Sequence, residues 1–153
     1  MAAGDNEVLS GGFALAPVPD LRCHDVPATP DQLLPLRHRL GTWAAAAGLT
    51  SDHIDAVILA GDEAMSNVVC HAYPEGGGTF DLIASNRPDL GTIHVTVRDH
   101  GRWQPEPVDP GLLHGRGLVL IRALAHHVTF DRSDAGTTVH MTWLLPETEA
   151  GQR

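Results

Sequence analysis

The stretch that decides the fold is GDEAMSNVVCHA, residues 61–72. Its small and apolar residues recur at helical spacing, which predicts the second half of an amphipathic helix. Glu63 and Asn67 interrupt these residues four positions apart, so they share one face of the helix. A carboxylate can accept a proton, and an amide oxygen is a hard ligand that suits Mg²⁺. The pair is therefore compatible with phosphate chemistry, although such pairs are also common as solvated surface side chains.

Helices and strands follow one another around this stretch in an order typical of an α+β fold. Apolar residues at helical spacing predict three helices, at about 30–48, 51–71 and 118–125. Alternating or β-branched runs predict five strands, at 21–26, 79–85, 92–98, 127–131 and 137–145. This order predicts a two-layer α/β sandwich, with a mixed, mostly antiparallel sheet that carries the helices on one face.

The chain is expected to form one domain with an extension at each end. Its 153 residues are enough to bury a single core. Residues 1–19 are rich in Gly, Ala and Pro and are predicted to be a flexible N-terminal arm. The folded domain is predicted over 20–146, followed by a C-terminal tail at 147–153.

Charge and residue usage exclude several classes of function. The formal net charge is −9, from 10 basic and 19 acidic residues, which argues against nonspecific binding to nucleic acid or to an anionic membrane. All ten basic residues are arginine, so chemistry that needs a lysine, as in the P-loop or a pyridoxal Schiff base, is excluded. No signal peptide or transmembrane run is recognisable, and two cysteines make no disulfide framework. We therefore expect a cytoplasmic protein.

Two further clusters lie where a strand ends and where a helix begins. The strand at 92–98 is followed by Asp99, whose carboxylate could accept a hydrogen bond from an exocyclic amine such as that of adenine. Gly101, two positions on, would let a flat ring approach the backbone. Gly115-Arg116-Gly117-Leu118 opens directly into a helix, where backbone N–H groups and the helix dipole favour phosphate. Taken alone, the Asp99 cluster is better explained by an ordinary turn, and the glycine loop is weak evidence because an ordinary turn also explains it.

In their order along the chain, these clusters resemble the motifs of the GHKL ATPase superfamily and, within it, the bacterial anti-sigma-factor serine kinases. Glu63-Ala64-Met65-Ser66-Asn67 with His71-Ala72 resembles the N box, and Asp99-His100-Gly101 the G1 box. Gly115-Arg116-Gly117-Leu118 resembles the G2 box, and Gly136-Thr137-Thr138 the closing G-T motif. The resemblance covers roughly residues 22–145. It implies a Bergerat-type fold and a histidine kinase-like ATP-binding domain over 20–146.

The resemblance also implies a role for each matched position. Glu63 would be the general base, and Asn67 the ligand of Mg²⁺. Asp99 would bind the adenine amine, and the glycine loop would cover the phosphates. The full set of implied nucleotide contacts is Asn67, Asp99, Gly101, Gly115, Arg116, Gly117, Leu118 and Thr138.

The implied function is that of an ATP- and Mg²⁺-dependent protein serine kinase that acts as an anti-sigma factor. Such a protein would phosphorylate a serine of an anti-sigma-factor antagonist and sequester a sigma factor. It is expected to be a homodimer without direct contact to nucleic acid or membrane.

One departure from the family pattern keeps alternatives open. Trp103 stands where the G1 box usually has its second glycine, and an indole cannot reproduce the backbone freedom of glycine. The alternative function is therefore a non-catalytic nucleotide-binding or partner-sequestering regulatory module. A third hypothesis is a simple ATPase or the detached ATP-binding domain of a sensor kinase.

Histidine and cysteine residues suggest two competing sites. Cys23-His24 and Cys70-His71 could converge on zinc, but neither pair has zinc-finger spacing. His38 could be the phosphoacceptor of a two-component histidine kinase, but that class needs a dimerisation hairpin before the ATP-binding domain. We expect packing or surface roles for these residues instead.

Overall fold

The structure is a computed structural model that describes residues 18–102 and 116–146. Most of the arm predicted for 1–19, and all of the tail predicted for 147–153, lie outside the described residues. Val18 packs against the core, and the carbonyl oxygen of Pro19 accepts a hydrogen bond of 3.0 Å from Trp43 Nε1. The last two residues of the predicted arm are therefore in contact with the folded domain.

In the described part of the chain, five strands form one sheet, and its four strand pairings are all antiparallel. The strands are β1 (Leu21–Pro27), β2 (Thr79–Arg87), β3 (Thr92–Asp99), β4 (His127–Ser133) and β5 (Gly136–Leu144). Their order across the sheet is β1-β2-β3-β5-β4. The predicted α+β class is confirmed. The sheet was expected to be mixed, but no parallel pair occurs among the described strands.

The described ranges contain three α-helices, which pack on this sheet: α1 (Leu33–Ala46), α2 (Ser51–Asn67) and α3 (Arg116–Leu124). Thr50 caps α2, because its hydroxyl oxygen accepts a hydrogen bond of 3.3 Å from the backbone N–H of His53. After Asn67 the helix widens into a π-helical segment over Val68–Ala72. Such segments are uncommon and are frequent at functional sites. Among the described helices, none combines the length and apolar character needed to cross a bilayer.

The core lies between the helices and one side of the sheet, which we call the helix-facing side. Alternate residues of the central strands are buried there: Ile93, Val95, Val97, Val139, Met141 and Trp143. Every helix contributes a completely buried side chain to this core, namely Leu40, Met65 and Ile121. The opposite side, which we call the outer face, carries polar residues of the same two strands: His94, Thr96, Arg98, Thr138, His140 and Thr142. No described helix covers the outer face, so the layers are two, as the sequence predicts.

Candidate functional site

The first part of the site lies where α2 meets the beginning of α3. Glu63 and Asn67 are one helical turn apart near the end of α2, and both are partly exposed. Gly117, the second residue of α3, lies against both side chains. A Cβ atom there would come within 3.0 Å of Glu63 Oε2 and 3.3 Å of Asn67 Oδ1. Glycine therefore allows the amino end of α3, where backbone N–H groups favour anions, to approach the carboxylate and the amide.

The second part of the site is the carboxylate of Asp99, at the end of β3. Asp99 is 2% exposed, on the helix-facing side, and Thr137 is the other buried polar residue of the described chain. Asp99 Oδ1 accepts hydrogen bonds from the backbone N–H of Gly101, at 3.0 Å, and of Thr137, at 3.2 Å. Burying a charge is costly unless it is hydrogen-bonded, and these two donors also fix the orientation of the carboxylate.

A cavity of about 230 Å³ opens at the two residues that bind Asp99. Gly101 and Thr137 line it, together with the exposed residues Arg102, Arg132, Ser133 and Asp134. Two arginines and one aspartate therefore lie at a cavity beside the buried carboxylate. Such a site suits a ligand that combines a hydrogen-bond donor with negative charge, as a nucleotide does.

The π-helical segment connects the two parts of the site. The carbonyl oxygen of Ala72, its last residue, accepts a hydrogen bond of 2.9 Å from the backbone N–H of Arg102. Gly101 packs on the same carbonyl group, and a Cβ on Gly101 would overlap it. The end of the helix that carries Glu63 and Asn67 is thus in backbone contact with the turn after Asp99. The structure brings Glu63, Asn67 and Gly117 together, and it links them to Asp99 and Gly101 through Ala72.

The side chain of Thr138 lies on the outer face of the sheet, and the nucleotide contact expected for it stays a prediction. On β5 the residues that face the helices are Thr137, Val139 and every second residue after them. Thr138 pairs with Arg98 on the outer face, whereas Thr137 pairs with Asp99. A shift of one residue along a strand moves a side chain to the opposite face of the sheet. The threonine that lies beside Asp99 on the helix-facing side is therefore Thr137, which the sequence analysis did not name as a contact.

The remaining predicted contacts are only partly described. Leu118 is half-buried and packs against the core. Three positions lie outside the described part of the structure: Gly115, the side chain of Arg116, and Trp103, the residue that differs from the G1-box pattern. Their roles at the nucleotide stay predictions.

The two cysteines occupy different environments. Cys23 is buried in β1, and burial raises the pKa of its thiol, whereas Cys70 is exposed in the π-helical segment. Within the two described ranges, no group of three His, Cys, Asp or Glu side chains is arranged to hold a metal ion.

Comparison with known sequences agrees with this geometry. Residues 26–143 match the histidine kinase-like ATPase domain family. The serine-protein kinase RsbW of Bacillus licheniformis is 31% identical over 132 residues, which cover 78% of this chain and 82% of that protein. RsbW of Bacillus subtilis is also 31% identical, over 133 residues and with the same coverage.

Comparison with solved structures gives the same result. The RsbU and RsbW domains of a Mycobacterium tuberculosis protein match 85% of this chain at a TM-score of 0.69 and 26% identity, and the chain spans 33% of that longer protein. A blue-light activated histidine kinase of Erythrobacter litoralis shares the fold, with a TM-score of 0.55 and 24% identity over 66% of this chain and 33% of the kinase. The family match over residues 26–143 and the RsbW relatives together show that this chain belongs to the histidine kinase-like ATPase domain family.

Proposed function

We propose that this chain is a protein serine kinase that transfers the γ-phosphoryl group of ATP to a serine hydroxyl of a partner protein. The observation that carries the proposal is the approach of Gly117 to Glu63 and Asn67, which brings a base, a hard oxygen ligand and a helix amino terminus together. The relatives that are named serine-protein kinases support serine as the acceptor.

The residues at this junction fit ATP and Mg²⁺. Asn67 would hold the metal through its amide oxygen, and Gly117, which has no Cβ, lets the amino end of α3 lie close to that oxygen. Mg²⁺ supplies positive charge that neutralises the phosphate oxygens. Asp99 would accept a hydrogen bond from the adenine amine, since the Gly101 and Thr137 N–H groups already orient its carboxylate. Gly115 and Arg116 are the proposed contacts of the loop over the phosphates.

Glu63 would act as the general base in the transfer. Its carboxylate accepts the proton of the serine hydroxyl while the serine oxygen bonds to the γ-phosphorus. The bond from that phosphorus to the β–γ bridging oxygen breaks, and ADP leaves with the electron pair. Because Glu63 and Asn67 lie one turn apart on a single helix, base and metal ligand keep a fixed spacing.

We further propose the regulatory role that the family resemblance implies. The acceptor would be an anti-sigma-factor antagonist, and the chain, as a cytoplasmic homodimer, would sequester a sigma factor. The similarity to RsbW proteins over most of the chain supports this assignment.

Glu63→Gln tests the mechanism, because glutamine keeps the shape of the side chain and removes the base. We expect phosphoserine formation on the antagonist to fall by at least about 100-fold, while the Kd for ATP with Mg²⁺ in calorimetry stays within about threefold. Asn67→Ala should instead abolish the Mg²⁺-dependent part of ATP binding. Full phosphotransfer by Glu63→Gln would overturn the proposed role of the carboxylate. ATP binding without any phosphotransfer by the parent protein would favour the partner-sequestering module.

A further inference from the structure

Tyr73 connects the end of the π-helical segment to the turn after Asp99. It directly follows Ala72, and its hydroxyl group donates a hydrogen bond of 2.5 Å to the carbonyl oxygen of Thr79. The same hydroxyl oxygen accepts a hydrogen bond of 2.9 Å from the backbone N–H of His100. One side chain thus binds the residue next to the buried carboxylate and the first residue of β2.

The ring of Tyr73 is also in close contact with its surroundings. Gly78 packs on the ring so closely that a Cβ there would overlap the ring carbons. Burial raises the pKa of the phenol, and the negative charge of Asp99 acts in the same direction. The hydroxyl therefore stays protonated and keeps both its donor and its acceptor function.

Three consecutive backbone N–H groups of the turn after Asp99 are each bound by a different acceptor. The N–H of His100 binds Tyr73, that of Gly101 binds Asp99 itself, and that of Arg102 binds the Ala72 carbonyl oxygen. The first and last of these acceptors belong to the adjacent residues 72 and 73. This pair fixes the turn to the end of the helix that carries Glu63 and Asn67.

We propose that Tyr73 is a positioning residue for adenine recognition. By fixing His100, it holds Asp99 at the depth and orientation that an adenine amine requires, in register with the Glu63 and Asn67 pair. This inference rests on the proposed function as an ATP-binding kinase. Without the hydroxyl, the His100 N–H loses its acceptor, and Ala72 alone ties the turn to the end of the helix. The turn then presents the Gly101 N–H to the Asp99 carboxylate less firmly, while the Thr137 N–H and the phosphate end of the site are unchanged.

Tyr73→Phe tests the proposal, because it removes one oxygen and keeps the ring. We expect the Kd for ATP with Mg²⁺ to rise about tenfold, as loss of one buried hydrogen bond predicts. GTP presents a carbonyl oxygen in place of the adenine amine, so its weaker binding should change less and the preference for ATP over GTP should fall. The KM for ATP should rise in the same proportion, with kcat for phosphotransfer within about twofold of the parent.

Thr96→Val is the matched control. It removes a hydroxyl from β3, the strand that carries Asp99, but on the outer face of the sheet. Thr96 is hydrogen-bonded there to His140 Nδ1 at 3.1 Å. Both variants are expected to lower the thermal midpoint slightly, and Thr96→Val should leave the ratio of ATP to GTP affinities unchanged. An unchanged ratio in Tyr73→Phe would assign the residue a purely structural role. If the parent protein binds neither nucleotide, the proposed function itself is wrong, and this inference falls with it.

Amide hydrogen exchange provides a second test that also works on the unmodified chain. Saturation with ATP and Mg²⁺ should slow exchange of the His100 amide in the parent, because a bound adenine tightens the turn. In Tyr73→Phe the amides of residues 100–102 should exchange about tenfold faster, while the amides of the edge strands β1 and β4 should keep their exchange rates. Absence of nucleotide protection at His100 in an ATP-bound parent, or uniform acceleration across the sheet in the variant, would contradict the proposal.

Discussion

The two faces of the sheet arise from the same alternation of residues along the strands, but they differ in how deeply a charged side chain is buried. On the helix-facing side Asp99 is 2% exposed, at the end of a run of apolar residues. On the outer face the side chain of Asp131 is 73% exposed and lies 3.6 Å from His140 Nε2. A buried carboxylate has a high desolvation cost, whereas an exposed one has almost none. The face on which a polar residue lies therefore indicates better than its motif whether it belongs to the site.

Removing the charge of Asp99 should have the largest effect of any change that tests this comparison. Asp99→Asn keeps an oxygen that can accept the Gly101 and Thr137 N–H bonds, but it removes the negative acceptor for adenine. We expect the Kd for ATP to rise by about tenfold to a hundredfold, since a hydrogen bond to a charged group contributes about 1.5–3 kcal/mol. Calorimetric titration with ATP and Mg²⁺ measures this change in Kd.

Asp131→Asn is the control on the outer face. It removes the same charge from an exposed position beside His140, so the Kd for ATP should not change. Equal losses of affinity in the two variants would mean that net charge, and not the buried site, governs nucleotide binding.

A methyl group at Gly117 should have the next largest effect. This variant distinguishes an effect on the site from an effect on the packing of the core, which lies on the same side of the sheet. The added Cβ would come within 3.0 Å of Glu63 Oε2 and 3.4 Å of Asn67 Nδ2, so Gly117→Ala should lower phosphotransfer about tenfold. Alanine is the better helix former, by up to about 1 kcal/mol, so thermal stability should not fall.

Gly61→Ala supplies the opposite pattern. Its Cβ would meet Leu40 Cδ2 at 2.6 Å between α1 and α2, away from the carboxylate and amide pair. We expect a lower thermal midpoint with unchanged activity per folded molecule, because overpacking a core costs about 1–3 kcal/mol. A loss of stability in Gly117→Ala that matched its loss of activity would contradict the placement of Gly117 at the site.

Replacing the hydroxyl by a methyl group at each of two adjacent threonines tests which of them lies on the helix-facing side of the sheet. Thr137→Val keeps the shape and the N–H that binds Asp99, so ATP affinity should fall only about threefold. Thr138→Val lies on the outer face opposite Arg98 and should leave affinity unchanged. The reverse ranking in the same titration would show that Thr138, and not Thr137, contacts the nucleotide.

The sequence predicts the fold well because burial imposes a period that can be read directly. The strand predicted at 92–98 is observed at Thr92–Asp99, since Ile93, Val95 and Val97 all face the core. The motif spacing likewise placed Glu63 and Asn67 on one helical face, and the structure adds Gly117 beside them.

Contacts that depend on packing between distant segments could not be predicted in this way. Whether Thr137 or Thr138 faces Asp99 depends on which half of the β5 alternation meets the helices. The widening at Val68–Ala72 and the double hydrogen bond of Tyr73 arise where the chain leaves α2, and no periodicity signals them. The bond from Trp43 to Pro19 joins residues 24 positions apart, so composition alone assigned Pro19 to the arm.

The smallest predicted effect is a pH dependence that originates on the outer face. His94 Nε2 and Nδ1 lie 3.0 Å and 3.2 Å from the hydroxyl oxygens of Thr92 and Thr142. Partial burial lowers the pKa of His94 below its ordinary value of 6.5, and the charges of Arg87 and His140 lower it further.

The sign of the effect follows from that lowered pKa. As the pH falls through about 6.5, the unfolded chain takes up a proton on residue 94 that the folded chain resists, so the free energy of unfolding decreases until the folded form also titrates. His94→Gln removes this contribution. Urea unfolding at about pH 7.5 and about pH 5.5 should therefore show a smaller loss of stability for the variant than for the parent. Equal losses would mean that residue 94 does not carry the dependence. The Kd for ATP should be unaffected by His94→Gln at the higher pH, because the histidine lies on the face that does not hold Asp99.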